Sequence, residues 1–429
     1  MRAEGTKAIK FLFLVYIAFS VLYTLNYFYV VYSNTYASNN NIKPRNSLGL
    51  DFQTSEWGND KLSWGKYRKI NNITQLFRTS DYMTEEFFLS KVFSESMQPS
   101  HVIPYYFRAV KTPKEEDITI TTLITENRFH VFDRLVTNYQ GPISVTIHVA
   151  DDEKSRDVLL SKLHDLYNGN EYMKQYVDVH LVVDNFERQF NMWRNVAKFF
   201  ARTNYVMMLD VDFHPCTDFR HAILNNEEIM KKLRTGNTAL VVPAFEYADL
   251  QEGLDFHTFP TKKADALELV ESGRLVMFHA SWKPGHGPSN YTHWYGTNEL
   301  YKVTTYQYQY EPYVIFPKQS IWCDERFVGY GANKAACLFE LYLSGVDYWV
   351  LPNDFLIHQT HEYLEDARRH ERRFNKKLYD HFREELCFRY ARNFILNDEW
   401  KTEKADNLKN TCNKIRGFSQ AIKYFSSMK

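Results

Sequence analysis

Residues 205–215 read Tyr205-Val-Met-Met-Leu-Asp210-Val-Asp212-Phe-His-Pro215, and this stretch predicts both a fold class and a site. Its apolar start favours a strand that is covered on both faces. In a regular strand the side chains of Asp210 and Asp212 would point the same way, because the side-chain period is two. Two carboxylates at the carboxyl end of a buried strand suit a hard divalent cation and lie where open α/β sheets bind ligands. Asp-X-Asp also occurs by chance in turns and helix caps, so the rest of the chain must decide.

The composition limits the classes of function. A chain of 429 residues is long enough for one large domain or two ordinary ones. Lys plus Arg and Asp plus Glu both number 52, so the formal net charge is zero and no basic excess argues for nucleic acid. The five cysteines match no zinc pattern and allow two disulfides with one thiol left over in an oxidising compartment.

The N-terminal segment predicts a membrane anchor. Residues 11–32 are mostly apolar and uncharged, and about 20 such residues suffice for a helix to cross a bilayer. Arg2, Lys7 and Lys10 precede this segment, which predicts a cytoplasmic N-terminus and a luminal remainder. A cleaved signal peptide is the alternative, with a poor cleavage site at residues 34–37. Signal-peptide cores are usually shorter than this run, which favours the uncleaved anchor.

From residue 105 onward, strand and helix patterns alternate. The predicted strands before residue 205 are 117–125, 143–149 and 177–183, and the predicted helices are 128–139, 151–167 and 190–202. This alternation predicts a mostly parallel sheet flanked by helices. Residues 239–245 and 347–352 are expected to continue the sheet, and 333–343 to form a helix. The charged segment from His370 onward is expected to be a solvated amphipathic helix.

Eight blocks of sequence, in order, carry a resemblance to a known family. They are 138–145, 193–197, 205–212, 241–246, 285–291 with Trp294, 310–314, 324–334 and 351–358. These blocks resemble the family 49 glycosyltransferases, which include the C-terminal domain of LARGE-type xylosyl/glucuronyltransferases and the β-1,4-glucuronyltransferase of the same pathway. The resemblance covers roughly Thr119 to Glu362.

The resemblance implies a GT-A fold, a UDP-sugar donor, and Mn²⁺ or another divalent cation. The metal would be held by Asp210, Asp212 and His358. A metal at this place would neutralise the diphosphate that leaves when the sugar is transferred. The resemblance also points to glucuronic acid as the transferred sugar and to inversion at its anomeric carbon.

The donor-binding candidates lie on the helix before the strand that begins at Tyr205, at the end of that strand, at the end of the first strand and in a glycine-rich loop: Arg194, Asn195, Asp210, Thr125, Lys283 and His286. Arg194 could reach a phosphate or a sugar carboxylate with its bidentate fork. It could equally pair with a neighbouring acid such as Glu187 or Asp184.

The catalytic base has three candidates. An inverting transferase needs a proton acceptor within hydrogen-bond reach of the acceptor hydroxyl. Many related GT-A enzymes carry an acidic pair after a Gly-aromatic-Gly turn, but here the turn 329–331 is followed by Ala-Asn-Lys. The first choice is Asp324, which could instead brace the turn. Glu311 and Glu246 are the alternatives.

The sequence therefore predicts five parts: a cytoplasmic N-terminus (1–10), a transmembrane signal-anchor (11–32), a luminal stem (33–104) with a glycosylation sequon at Asn72, a GT-A domain (105–400) and a helical tail (401–429). The expected protein is a single-pass type II enzyme of the Golgi membrane that acts on a glycan or glycoprotein acceptor. Other UDP-sugars (xylose, galactose, N-acetylglucosamine) are alternative donors. A catalytically silent, glycan-binding member of the fold is the alternative of another class. The sequence indicates no oligomeric state.

Overall fold

The computed structural model describes residues 100–361 and 365–427. The predicted anchor, nearly all of the predicted stem and the sequon at Asn72 lie outside these residues. Within the described part of the chain, no helix combines the length and the apolar character needed to span a membrane.

The described residues form a mixed α/β fold with two sheets. The larger sheet has nine strands in the order β1-β4-β3-β2-β5-β11-β7-β12-β10, and the smaller has four in the order β6-β13-β8-β9. In chain order the strands are β1 (His101–Phe107), β2 (Ile118–Ile124), β3 (Ile143–Ala150), β4 (Val177–Asp184), β5 (Tyr205–Met208), β6 (Phe213–Pro215), β7 (Thr238–Val242), β8 (Ala244–Tyr247), β9 (Leu275–Met277), β10 (Tyr301–Lys302), β11 (Tyr313–Pro317), β12 (Asp347–Val350) and β13 (Leu356–His358).

Thirteen α-helices lie within the described residues. They are α1 (Phe129–Tyr139), α2 (Glu153–Gly169), α3 (Glu171–Tyr176), α4 (Phe190–Phe200), α5 (Phe219–Leu224), α6 (Glu227–Arg234), α7 (Lys263–Glu271), α8 (Lys283–His286), α9 (Tyr291–Gly296), α10 (Asn333–Leu343), α11 (Glu365–Leu396), α12 (Asp406–Cys412) and α13 (Phe418–Ser427). The predicted alternation up to β5 is confirmed, with each boundary within two residues of the prediction except at β5 itself.

The prediction of a mostly parallel sheet is only half right. Strands β4, β3, β2 and β5 are mutually parallel, and so are β7 and β12. Strand β11 enters between β5 and β7 and runs antiparallel to both, and β1 and β10 are antiparallel edge strands. The described part of the larger sheet therefore has four parallel and four antiparallel pairs. The apolar run of β11 indicates a buried strand, but periodicity contains no information about its direction.

Pro243 divides one predicted strand into two. The run 239–245 was expected to be continuous, but β7 ends at Val242 in the larger sheet and β8 begins at Ala244 in the smaller one. Proline has no backbone N–H to give to a ladder, so a strand bends or ends there. The bend carries β8 towards β13, beside which the candidate site lies.

The ends of the predicted catalytic domain differ from the expectation. Strand β1 begins at His101 and pairs with β4, so the last residues of the predicted stem belong to the sheet. The charged segment from His370 onward is helical but not simply solvated. One face of α11 packs into the main core through Tyr379, Phe382, Leu386 and Phe394.

The cysteines pair as the count allowed. Cys323 is bonded to Cys337, Cys387 is bonded to Cys412, and Cys216 is a buried free thiol. The second disulfide joins α11 to α12. It ties the predicted C-terminal tail to the catalytic core.

Candidate active site

One cleft of about 1380 Å³ lies at the carboxyl ends of β2, β3 and β4. Its walls come from the β5–β6 turn, the segment 278–286, the N-terminus of α10 and the first turns of α11. Ligands bind at such strand ends because the connecting loops diverge there and leave a crevice. The cleft is therefore the candidate site for a sugar nucleotide.

The two aspartates of the starting stretch lie in a turn and not in a strand. Strand β5 ends at Met208, and the backbone N–H of Phe213 donates to the carbonyl of Asp210 at 3.1 Å. The expectation that both carboxylates lie on one face of a regular strand therefore does not apply, because the strand ends before them. Asp210 and Asp212 both line the cleft, but they have different partners.

Asp210 is held by three donors. Arg194 Nη2 lies 3.3 Å from Oδ1, Lys334 Nζ lies 3.3 Å from Oδ2, and the Tyr313 hydroxyl donates to Oδ2 at 3.1 Å. Burial alone would raise the pKa of Asp210, but Lys334, Arg194 and the Tyr313 hydrogen bond outweigh it and hold the pKa well below its usual range. Asp210 is thus the shared ion-pair partner of Arg194 and Lys334.

Asp212 belongs to a cluster of potential metal ligands. Among the described residues, one ligand atom each from Asp212, His358 and His361 lie within 4.8 Å of one another. His361 Nε2 is 3.3 Å from Asp212 Oδ2, and Arg128 Nε is 3.2 Å from Oδ1. The structure therefore brings together two of the three predicted ligands. Asp210 is not in the cluster, and His361 takes the third place.

The cluster is built by β6, β13 and the segment after β13. His358 pairs with Phe213 across the β6–β13 ladder, and the N–H of Gln359 donates to the carbonyl of Asp212 at 2.8 Å. Burial lowers the pKa of His358 to about 3, against the opposing effect of Asp212. Neutral imidazole is the form of histidine that ligates metal ions. A carboxylate and two imidazoles form a donor set that fits a divalent transition-metal ion.

His361 was not among the predicted ligands, although its spacing from His358 is visible in the sequence. The run His358-Gln-Thr-His361 places two imidazoles three residues apart directly after a strand. Spacing alone does not show that the chain bends back after β13.

The other predicted donor-binding residues divide into two groups. Arg194, Thr125 and His286 line the cleft, whereas Asn195 and Lys283 do not. Arg194 also donates to Asn333 Oδ1 at 2.7 Å, which fixes the start of α10. Thr125 directly follows β2, and His286 is a buried residue of the cleft lining. Burial lowers the pKa of His286 well below its ordinary value.

Asn195 has a structural position instead. Its amide donates to the carbonyl of Cys323 and to Glu325 Oε1, both at 2.8 Å, and it accepts from the Cys323 N–H at 2.9 Å. These bonds fasten the Cys323–Glu325 segment to α4. Lys283 is exposed at the start of α8.

The candidates for the base also divide. Glu311 lines the cleft, and Asp324 and Glu246 do not. Asp324 accepts hydrogen bonds from the backbone and guanidinium of Arg326, which matches the alternative that it braces the turn. Glu246 accepts from the N–H of His279 at 2.9 Å and holds that loop in place.

A basic face of α11 forms one wall of the cleft. Arg368, Arg372 and Lys376 are spaced by four residues, so they lie on one side of the helix, and all three line the cleft. Burial lowers the pKa of His279, and Lys334, Arg372 and Arg368 lower it further, which places both guanidiniums near this ring. The sequence analysis predicted α11 but did not predict that it contributes to the site.

Helix α11 also clamps the Gly-Tyr-Gly turn. Gly329 and Gly331 have φ values of +79° and +93°, a backbone conformation that favours glycine. A Cβ on Gly331 would lie 3.0 Å from the Cα of Arg372. Glu371 accepts from the Tyr330 N–H at 2.8 Å and pairs with Arg188 at 2.7 Å. The turn and the helix therefore form one side of the cleft together.

Comparison with known proteins identifies the family. A family model described as "Glycosyl-transferase for dystroglycan" matches residues 117–190 and 184–391, which is more than half of the chain. The chain belongs to the family 49 glycosyltransferases. The resemblance inferred from the eight blocks is thereby confirmed.

Curated relatives of this family 49 chain include LARGE proteins from several vertebrates. It is 32% identical over 263 residues to "Xylosyl- and glucuronyltransferase LARGE2s" of Danio rerio, covering 60% of this chain and 33% of the relative. It is 28% identical over 303 residues to "Xylosyl- and glucuronyltransferase LARGE1" of Homo sapiens, covering 68% of this chain and 38% of the relative. The family 49 chain thus spans between one third and two fifths of the length of these relatives.

A solved structure also aligns with the family 49 chain. It is the "Crystal structure of GalNAc-T7 with UDP, GalNAc and Mn2+", with a TM-score of 0.40 and 10% identity over 73% of this chain and 57% of that chain. At this score the alignment carries no argument about the site.

Proposed function

We propose that this protein is a metal-dependent glycosyltransferase of the GT-A type, which transfers glucuronic acid from UDP-glucuronic acid to a glycan acceptor with inversion. The observation that carries the proposal is the Asp212–His358–His361 cluster inside the cleft at the strand ends. Membership of a glycosyltransferase family supplies the reaction class.

The donor set supports a divalent transition-metal ion, for which we propose Mn²⁺ because the family resemblance implies it. Mg²⁺ and Ca²⁺ prefer oxygen ligands throughout, whereas imidazoles suit transition-metal ions. One carboxylate with two imidazoles therefore favours Mn²⁺ over Mg²⁺ here. A divalent ion bound there supplies positive charge to the two phosphates of a sugar nucleotide.

The basic wall supports the placement of the diphosphate. Arg368 and Arg372 lie near His279, which shares the cleft with the metal cluster. Guanidinium groups bind phosphate oxygens through charge-assisted, often bidentate hydrogen bonds. We place the diphosphate between the metal cluster and this wall. Positive charge on both sides would there stabilise the negative charge that develops on the leaving group.

The identity of the donor sugar rests on the relatives. Their names pair a xylosyl and a glucuronyl activity, and this chain aligns with only part of each relative. We propose UDP-glucuronic acid as the donor and UDP-xylose as the second candidate. The apolar N-terminal segment 11–32 supports a single-pass anchor in the Golgi membrane with a luminal catalytic domain.

Release of UDP from a panel of donors tests the proposal. The purified chain is incubated with UDP-glucuronic acid, UDP-xylose, UDP-galactose or UDP-N-acetylglucosamine, with p-nitrophenyl glycosides as acceptors, in Mn²⁺ or in EDTA. We expect Mn²⁺-dependent release of UDP and a glucuronylated product. Release in EDTA equal to that in Mn²⁺ would refute metal dependence, and no release with any donor would favour a silent, glycan-binding protein.

A pair of variants controls this panel. Asp212→Asn removes the charged ligand of the cluster and should abolish Mn²⁺-dependent release. His381→Ala changes an exposed histidine of α11 that does not line the cleft, and it should retain the wild-type rate.

A further inference from the structure

One carboxylate that lines the cleft is partly exposed and has no ion pair within 4.0 Å among the described residues. Among the described residues, six acids line the cleft: Asp184, Glu187, Asp210, Asp212, Glu311 and Asp380. Transfer with inversion needs one of them to accept the proton of the attacking hydroxyl. Their contacts distinguish them.

Three of the six are poorly placed. Asp184 is buried, the Ser100 hydroxyl donates to its Oδ2, and His148 Nε2 lies 2.8 Å from its Oδ1. Glu187 and Asp380 are exposed on the rim, and each lies against an arginine of its own segment.

The two aspartates of the β5–β6 turn are committed elsewhere. Asp210 has three donors, of which two are cations, so its carboxylate is a weak proton acceptor. Asp212 lies between Arg128 and His361 in the metal cluster. A metal ligand cannot at the same time receive the acceptor proton.

Glu311 remains, and three neighbouring elements fix its position. Its own N–H donates to the carbonyl of Gly285 at 2.8 Å, and the backbone N–H of Ala335 at the start of α10 lies near its carboxylate. Two residues later, the Tyr313 hydroxyl reaches Asp210. Glu311 therefore lies between the glycine-rich loop, the N-terminus of α10 and the turn that carries Asp212.

Glu311 is partly exposed to the cleft, and no ion pair within 4.0 Å ties it to another described residue. The backbone N–H of Ala335 lies near this carboxylate, and no hydrogen bond from another described residue reaches it. A carboxylate has about four lone-pair directions, so it can hold its own orientation and accept a substrate proton at once.

From this arrangement we infer that Glu311 is the catalytic base of the transfer. The inference rests on the proposed function. The acceptor O–H gives its proton to the Glu311 carboxylate while the acceptor oxygen forms a bond to the anomeric carbon. The bond from that carbon to the phosphate oxygen breaks, and its electron pair leaves with UDP. The protonated Glu311 then releases its proton to water in the open cleft.

The electrostatic surroundings agree with this role. Burial raises the pKa of Glu311, and Asp210 raises it further, while Lys334 and Arg194 oppose them. A carboxylate with a raised pKa accepts a proton more readily than a solvated one.

The approach of Glu311 to the start of α10 joins two segments that lie far apart in the sequence. The segment that follows the Gly-Tyr-Gly turn has no acid of its own. The fold brings an acid to the same helix N-terminus from a segment that is 24 residues earlier in the sequence (335 minus 311). Only the tertiary structure makes this contact visible.

Glu311→Gln tests the inference. Glutamine keeps an oxygen that can accept the Ala335 N–H, so α10 should keep its start and the thermal midpoint should change little. Turnover of the donor with p-nitrophenyl glycosides should fall about 10²- to 10⁴-fold, which is the usual contribution of a general base. The dissociation constant for UDP in Mn²⁺ should stay within about threefold of the wild type, a factor that corresponds to less than 1 kcal/mol. Glu311→Asp, which keeps the carboxylate, should recover part of the rate.

Two matched variants discriminate the alternatives. Asp324→Asn and Glu246→Gln also replace a partly buried acid by its amide, but neither acid lines the cleft, and both should retain most of the turnover. Near-normal turnover in Glu311→Gln would overturn the inference, and so would a parallel loss of UDP binding. A wild-type protein that releases UDP from no donor would overturn the proposed function and this inference with it, whereas an active wild type beside an active Glu311→Gln overturns the inference alone.

Discussion

Replacing His361 by alanine distinguishes the candidate metal cluster of the structure from the ligand set that the sequence predicts. In the structure His361 is one of three residues whose ligand atoms lie within 4.8 Å of one another, and Asp210 is not among them. A metal bond of about 2.1 Å on each side lets two ligand atoms lie up to about 4.2 Å apart. A shift of a few tenths of an ångström in each side chain therefore closes the cluster around an ion.

The expected effect follows from the small number of ligands. Removing a group that only orients a ligand commonly costs 10- to 100-fold in metal affinity. Loss of a direct ligand should weaken metal affinity by at least the upper end of that range. The Mn²⁺ concentration for half-maximal turnover should therefore rise by about 100-fold or more. That factor corresponds to about 2.7 kcal/mol of binding free energy.

The assay measures UDP release against Mn²⁺ concentration, with direct binding followed by the electron paramagnetic resonance signal of free Mn²⁺. His381→Ala is the control for an exposed histidine. Asp210→Asn should lower turnover, because Lys334 and Arg194 lose their counter-ion, but it should leave the Mn²⁺ midpoint close to the wild type. The opposite pattern, a normal midpoint in His361→Ala and a large shift in Asp210→Asn, would refute the reasoning and restore the predicted set.

Three further changes test other parts of the structure. Arg372→Ala should raise KM for the donor about tenfold, since a charge-assisted bond to phosphate contributes about 1.5 kcal/mol. Arg373 is exposed and does not line the cleft, so Arg373→Ala should leave KM unchanged. Equal effects of the two changes would contradict the role of the basic wall in binding the donor. Gly331→Ala should destabilise the fold by about 1–3 kcal/mol through backbone strain, with a further cost from the close contact with Arg372. It should therefore lower Tm more than Gly236→Ala, because Gly236 shares the positive φ but has open space around it. Equal shifts in Tm would show that α11 does not press on the turn. Cys412→Ser opens a loop of 25 residues and should cost about 3 kcal/mol of unfolding free energy by calorimetry; an unchanged Tm would deny the disulfide a stabilising role.

Much of the fold could be predicted because the relevant signals are local. Runs of β-branched and apolar residues predict strands β2, β3 and β4. Apolar residues at helical spacing predict helices α1 and α4. Helix α10 begins and ends where the pattern predicts. The direction of β11 and the division at Pro243 were not predicted, since both depend on which neighbour a strand meets.

The candidate site was predicted in part. The stretch from Tyr205 to Pro215 by itself determined a buried strand followed by two carboxylates at a ligand-binding edge of a sheet. The motif blocks added His358 and the family. These features survive in the structure because strand formation and the location of strand ends depend on residues close together in the chain.

Only the tertiary structure decided how these residues are divided among tasks. A turn after Met208 separates Asp210, which neutralises Arg194 and Lys334, from Asp212, which joins His358 and His361. Helix α11 has the charged sequence expected of a solvated helix, but its packing against the Gly-Tyr-Gly turn makes it a wall of the cleft. The physical reason is that a side chain's charge state, ligand partners and reach are set by groups tens or hundreds of residues away, which spacing along the chain does not encode.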